Sequence, residues 1–192
     1  MLYQIVSLLL EVVVGLLAGA CLLRLYMQWQ RIPMSLRSGN PIARFIFTLT
    51  DWLVLPLRKV LPAVGSLDSA SLVGAFLLQL AEFAVLWLLQ GMAAPVATVP
   101  VLALLGLVRL SISALTALVI AYAVLSWVPG SGQSPFADII ERLVTPVLSP
   151  IRRILPLVGG VDLSPLALLV LLQIAAIVLG SVQASLLRMV LV

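Results

Sequence analysis

Pro150-Ile-Arg-Arg-Ile-Leu-Pro-Leu-Val-Gly-Gly-Val-Asp162 repeats an earlier stretch, Pro56-Leu-Arg-Lys-Val-Leu-Pro-Ala-Val-Gly-Ser-Leu-Asp68, with seven of the thirteen positions identical. The identities are Pro56/Pro150, Arg58/Arg152, Leu61/Leu155, Pro62/Pro156, Val64/Val158, Gly65/Gly159 and Asp68/Asp162, and Lys59/Arg153 and Val60/Ile154 are conservative exchanges. Charged residues, prolines and a glycine recur at fixed spacing, which similarity between two merely apolar segments does not produce. The spacing predicts a tandem duplication, one unit over residues 1–95 and a second over 96–192.

The chain around these stretches is 63% hydrophobic and 9% charged, with a mean hydropathy of +1.26. Soluble domains carry about 25% charged residues, so the composition places the chain in a bilayer. A membrane-spanning helix takes about 20 apolar residues. The apolar runs fit four spans, over residues 3–27, 69–90, 100–127 and 164–189, with two sizeable loops and no separate soluble domain. A cleaved signal peptide fits the first run less well, because it lacks a basic leader and is too long.

Net charge is +4, but the cations lie beside the apolar spans rather than on one basic, aromatic-interleaved face. That distribution points to membrane topology and away from nucleic acid. Cys21 is the single cysteine and histidine is absent. Intramolecular disulfides, Cys/His zinc sites and bis-histidine haem ligation are therefore excluded within one chain. No metal and no cofactor are expected, and no nucleophile–base set or phosphate-cradling loop suggests an enzyme.

Residues 30–68 carry Arg31, Arg37, Arg44, Arg58 and Lys59 against Asp51 and Asp68. By the positive-inside rule this loop and residues 128–163 are cytoplasmic, which puts both termini outside. After Pro41, the polar residues Arg44, Thr48 and Asp51 alternate with Ile42, Phe45, Ile46, Leu49 and Leu53. After Pro135, a stripe of Asp138, Glu141, Arg142, Thr145 and Ser149 opposes Phe136, Ile139, Ile140, Leu143 and Val147. Both patterns predict helices lying along the interface, with Asp138 and Arg142 as an i, i+4 pair. The expected fold is all-α: four transmembrane helices as two parallel repeats, each with an interfacial helix and a Pro-Arg loop. Gly65, Gly159 and Gly160 permit tight turns there, and Pro62 and Pro156 stop the preceding helix.

Several residues are candidates for a site. Arg58, Lys59, Arg152 and Arg153 sit where the loops return to the membrane, and two roles fit them: fixing topology, or binding anionic head groups. Asp68 and Asp162 fit helix caps, with Ser164 ahead of Pro165 as an alternative cap; a carboxylate dyad at the repeat axis is the rival reading. Glu11, Glu82 and Arg109 lie inside apolar spans, where charge is costly. They fall at similar depth, about 12 to 14 Å from the outer end at 1.5 Å per residue. Together with Gln79 and Gln173 they form an expected intramembrane polar cluster, either structural or an ion pathway, in which Arg109 neutralises one glutamate. Gly15 and Gly19 form a GxxxG pair that suits close helix approach.

The motifs Arg24, Gln28-Trp29, Asn40-Pro41 and Pro56-Leu-Arg-Lys with Leu61-Pro62 in the first half, then Ser126-Trp127-Val128, Ser134-Pro135, Pro150-Ile-Arg-Arg-Ile-Leu-Pro and Gly159-Gly160-Val-Asp162-Leu-Ser164-Pro165 in the second, span most of the chain. In them the sequence resembles the YggT family of small bacterial integral membrane proteins, which has plastid and cyanobacterial relatives. Where many members carry an arginine ahead of the second Ser-Trp, this chain has Tyr122. The resemblance implies a multi-pass protein of the cytoplasmic membrane, with links to osmotic or ionic stress, to cell or plastid division and to assembly of a b-type cytochrome complex. Two functions follow as expectations: a non-enzymatic scaffold or assembly and stress-tolerance factor, and, as the alternative, a small channel or transporter subunit for ions. Expected partners are membrane lipids, anionic ones included, and either further copies of the chain or another membrane protein.

Overall fold

The computed structural model describes residues 1–34, 40–61, 67–92, 94–127, 134–155 and 162–191, so the turns expected at Gly65, Gly159 and Gly160 lie outside the described residues. The described chain is all-α, with six helices: α1 Leu2–Trp29, α2 Pro41–Val60, α3 Ser69–Leu89, α4 Thr98–Trp127, α5 Pro135–Ile154 and α6 Ser164–Leu191. Four of them, α1, α3, α4 and α6, are long and apolar enough to cross a membrane. The other two are amphipathic.

The amphipathic helices start by the same local chemistry. Asn40 Oδ1 accepts the N–H groups of Ile42 (3.0 Å) and Ala43 (3.1 Å), and Ser134 Oγ accepts those of Phe136 (3.2 Å) and Ala137 (3.4 Å). A proline follows each cap at the first helical position, where its missing N–H costs nothing. Both helices also end alike. Leu61 (φ −112°, ψ 97°) and Leu155 (φ −99°, ψ 111°) are extended, because each precedes a proline whose ring crowds the helical conformation.

One expectation is corrected here. The Pro-Arg segments, Pro56–Val60 and Pro150–Ile154, are the last helical turns of α2 and α5 rather than loops. Proline removes one backbone bond without forcing termination, and the turn after it still closes through Leu61 N–H to Leu57 O (2.8 Å) and Leu155 N–H to Ile151 O (2.9 Å).

In packing, α1 lies against α3, α3 against α4, and α4 against α6. Helix α2 packs on α1 and α3, and α5 packs on α4 and α6. One core gathers Val14, Ala18 and Cys21 of α1, Val54 of α2, Ala70 and Ala75 of α3, and Leu107 of α4. A second gathers Val119, Ile140, Val144, Leu148, Leu168 and Leu172. A third joins the halves through Met27, Ile32, Ile46, Ile139 and Leu143, next to a hydrogen bond from Tyr26 Oη to the Leu143 carbonyl (2.7 Å).

Between spans there is no hydrophobic driving force, so close van der Waals fit and polar contacts must hold the helices together. The closest fit is at Gly106 of α4. A Cβ there would stand 2.2 Å from Gln79 Oε1 and 2.6 Å from Phe83 Cε2 of α3. The GxxxG pair behaves differently, since among the described residues nothing beyond the surrounding backbone of α1 lies within 4 Å of a Cβ at Gly15 or Gly19. The side-chain space at those two glycines is open within one chain. We expect Gly106→Ala to lower stability by about 1 to 3 kcal/mol through overpacking, while Gly15→Ala and Gly180→Ala stay near neutral. Thermal unfolding of the three variants in one detergent checks this.

Candidate functional site

The most constrained polar residue is Arg24, on α1, with 2% of its side chain exposed. Its Nη1 donates to Thr50 Oγ1 (2.7 Å) and to Asp51 Oδ1 (2.7 Å), both on α2. Its Nε lies 3.8 Å from Asp68 Oδ2, and the guanidinium carbon sits 4.8 Å from the centre of the Phe47 ring. A buried charge of this kind is tolerated only when paired.

Asp68, also 2% exposed, stands at the N-cap of α3, and its carbonyl accepts the Ser71 (3.0 Å) and Leu72 (3.2 Å) N–H groups. Its carboxylate makes no capping bond to the backbone. Instead it accepts Ser71 Oγ (2.6 Å) and both Nε (3.3 Å) and Nη2 of Arg58 on α2. The expected cap is thus right for the position of Asp68 and wrong for its side chain, because Arg58 and Ser71 saturate the oxygens. The Gln28 amide, oriented by these neighbours, donates to Asp68 Oδ2 (3.1 Å) and accepts from Arg58 Nη2 (2.8 Å). Arg24, Gln28, Thr50, Asp51, Arg58, Asp68 and Ser71 form one network that latches α2 to α1 and α3.

The second half carries a reduced version. Arg152 Nε donates to Asp162 Oδ2 (2.9 Å) and Nη2 donates to Tyr122 Oη (2.8 Å), with the guanidinium carbon 5.9 Å from the Tyr122 ring centre. Here Asp162 does cap, accepting the Ser164 N–H at Oδ1 (2.9 Å), and Ser164 is the buried first residue of α6. Tyr122 precedes Trp127 as Arg24 precedes Trp29, and Thr145 precedes Pro150 as Asp51 precedes Pro56. This second latch is more open, with 36% and 30% of the Arg152 and Asp162 side chains exposed.

Both carboxyls titrate below the usual range. Burial pushes Asp68 up, but hydrogen bonds from Arg58 and Ser71 and the charges of Arg58 and Arg24 outweigh it. At Asp162 burial likewise pushes up, and the hydrogen bonds from Ser164 and Arg152 with the Arg152 charge together outweigh it. Each aspartate is engaged by the arginine ten residues before it.

The four candidate lipid cations divide into two classes. Arg58 and Arg152 are held by carboxylates. Lys59 and Arg153 are exposed and make no ion pair among the described residues. The intramembrane cluster also divides. Gln79 Nε2 donates to Glu82 Oε2 (2.9 Å), both buried on α3, whereas Glu11 is exposed on α1. Arg109 is exposed and forms no ion pair with either glutamate, and Gln173 is exposed on α6. Equal depth placed Arg109 beside the glutamates, whereas its position around the α4 axis turns it away. Asp138 and Arg142 do pair, at 3.2 Å. A groove of about 970 Å³ runs between α1 and α4, walled by Gly15, Gly19, Ala114, Ala117 and Ala121 and floored by Phe45, Phe136 and Leu143.

Sequence reasoning placed Asp51 on the polar stripe of α2 and gave Arg24 no partner, and so missed their union. The signal was the spacing of Arg24 and Tyr122 to their tryptophans, set beside the duplicated Arg58/Asp68 and Arg152/Asp162 pairs. The CCB3/YggT family model aligns with the chain over residues 3–89 and 101–183. The chain belongs to the CCB3/YggT family. It is 37% identical over 169 residues to "Uncharacterized protein YggT" of Escherichia coli strain K12, covering 86% of this chain and 84% of that protein. It is 34% identical over 178 residues to "Uncharacterized protein in proC 3'region" of Vibrio alginolyticus, covering 92% and 94%. A Pseudomonas aeruginosa relative is 31% identical over 148 residues. No solved structure matches the chain.

In this CCB3/YggT protein the first latch is predicted to dominate stability. Removing one partner of a buried pair costs about 3 to 5 kcal/mol, so Asp68→Asn should lose that much at pH 7, and Asp162→Asn only about 1 kcal/mol at its more exposed site. Because the folded-state value of Asp68 is depressed, its stabilisation is present above the unfolded value of about 3.9 and is lost as pH falls through the folded value. The difference between wild type and Asp68→Asn should therefore shrink below about pH 4, as denaturation measured across pH would show.

Proposed function

We propose that this protein is a non-enzymatic scaffold, an assembly or stress-tolerance factor of the bacterial cytoplasmic membrane, built as two parallel repeats related by an axis along the membrane normal. The first repeat is α1–α3 and the second α4–α6. The observation that carries the reading is the pair of latches, which commit the ionisable residues at the span ends to fastening α2 and α5 rather than to chemistry. In this reading α2 and α5 lie in the cytoplasmic interface, with Phe45, Trp52 and Phe136 exposed toward lipid and both termini outside. The free cations Lys59 and Arg153 face anionic head groups, each contributing about 1 kcal/mol.

A specific observation favours a second reading, an ion channel or transporter subunit. Glu82 is buried within a span, bonded to Gln79, with no cation in ion-pair range among the described residues. Ion flux in liposomes separates the two. The scaffold reading expects no flux from the purified protein, with crosslinking in native membranes capturing discrete membrane-protein partners. A flux that disappears in a well-folded Glu82→Gln variant would establish the pathway instead.

Topology is open to a direct check. In a Cys21→Ser background, Thr98→Cys should react with an impermeant thiol reagent on intact cells, and Ser38→Cys and Ser131→Cys should be protected until the cells are opened. Labelling of either loop position from outside would reverse the orientation.

A further inference from the structure

Glu11 of α1 and Arg109 of α4 hold equivalent positions in the two halves, since each stands 18 residues before its tryptophan, Trp29 or Trp127. Both lie inside helices long and apolar enough to cross a membrane, and both are exposed. Neither joins an ion pair among the described residues. The neutralisation of a glutamate by Arg109, expected from the sequence, is therefore not made within one chain.

Arginine keeps its charge, and an ionisable group facing lipid is costly, so such residues meet a partner or a wet cavity. The immediate surroundings of these two are apolar. Leu8 and Val12 stand exposed beside Glu11, and Val108 stands exposed beside Arg109. Every copy of a membrane protein inserts with the same orientation. With parallel repeats, equal spacing to the tryptophans means equal depth. The carboxylate of one copy and the guanidinium of another then come level after rotation about the membrane normal alone. A different partner would have to supply two charges of opposite sign at that depth, whereas a second copy carries both.

We propose that copies of this chain associate through an ion pair between Glu11 on α1 of one copy and Arg109 on α4 of the next. The inference rests on the parallel-repeat reading. The contact joins different helices, so a closed assembly, whether a twofold pair or a ring, uses both charges of every copy. The exposed leucine and valines beside the two charges are covered with them, which keeps the pair out of lipid.

The test is complementation between differently tagged, coexpressed chains: one tag is captured after mild solubilisation and the other is detected. Wild type should capture wild type. When both chains carry Glu11→Gln, or both carry Arg109→Gln, every pair between copies is lost, and capture should fall about tenfold. A Glu11→Gln chain coexpressed with an Arg109→Gln chain regains one pair, Arg109 of the first with Glu11 of the second, and most of the capture should return. Such recovery arises only between chains, so a pair made inside one chain or a general folding defect gives none. Mixed capture no higher than that of either variant alone would overturn the proposal, as would undiminished capture by either variant alone or none by wild type. Copurification of a different membrane protein that depends on Arg109, without self-capture, would overturn it as well. Thiol labelling is independent of these outcomes. Protection of Ser38→Cys and Ser131→Cys on the same side preserves parallel repeats even when complementation fails, whereas opposite sides would remove the equal depth itself.

Discussion

A guanidinium buried to 2% exposure sets the terms for the first half of this protein. Arg24 cannot shed its charge, so burial toward the C-terminal end of α1 requires acceptors from other elements. Thr50 and Asp51 provide them on α2, and Asp68 provides the remaining counter-charge at the head of α3. Helix α2 must therefore turn back beneath α1 after the Asn40 cap, and α3 must begin where its first carboxylate can reach Arg58. Ser71 and Gln28 fill the remaining positions on that carboxylate. The latch is a consequence of burying one arginine.

The second half solves an easier problem. Tyr122 replaces Arg24 and Thr145 replaces Asp51, so a cation and an anion are absent together and the remainder stays balanced. Tyr122 needs only the single bond it receives from Arg152. With less to neutralise, the second latch lies nearer the surface, and Asp162 has an oxygen left to cap α6. The same thirteen-residue motif thus supports a buried network in one half and a partly exposed ion pair in the other.

Hydropathy made the four spans legible because their length and charge content leave few alternatives, and the described helices keep those boundaries closely. The helix ends were legible too, where a proline fixes its predecessor at Leu61 and Leu155. What the sequence carries poorly is rotation about a helix axis. Arg109 has the right depth and the wrong azimuth. Gly15 and Gly19 have the right spacing and an open face, while the solitary Gly106 makes the close contact. Asp51 fits a solvent stripe by periodicity until a buried arginine on another helix draws it inward. Membership of the CCB3/YggT family was readable from the duplicated motifs, which span most of the chain.

The first latch has an electrical consequence. It contains two arginines and two aspartates, all tied to one another within hydrogen-bond or ion-pair distance. Moving one elementary charge through a full membrane potential involves about 2.3 kcal/mol per 100 mV, but a neutral group carried as a unit involves almost none. Moving the closed latch as a unit therefore transfers no net charge, and the membrane potential exerts little force on it. The fold's most charged assembly is, as a body, blind to voltage.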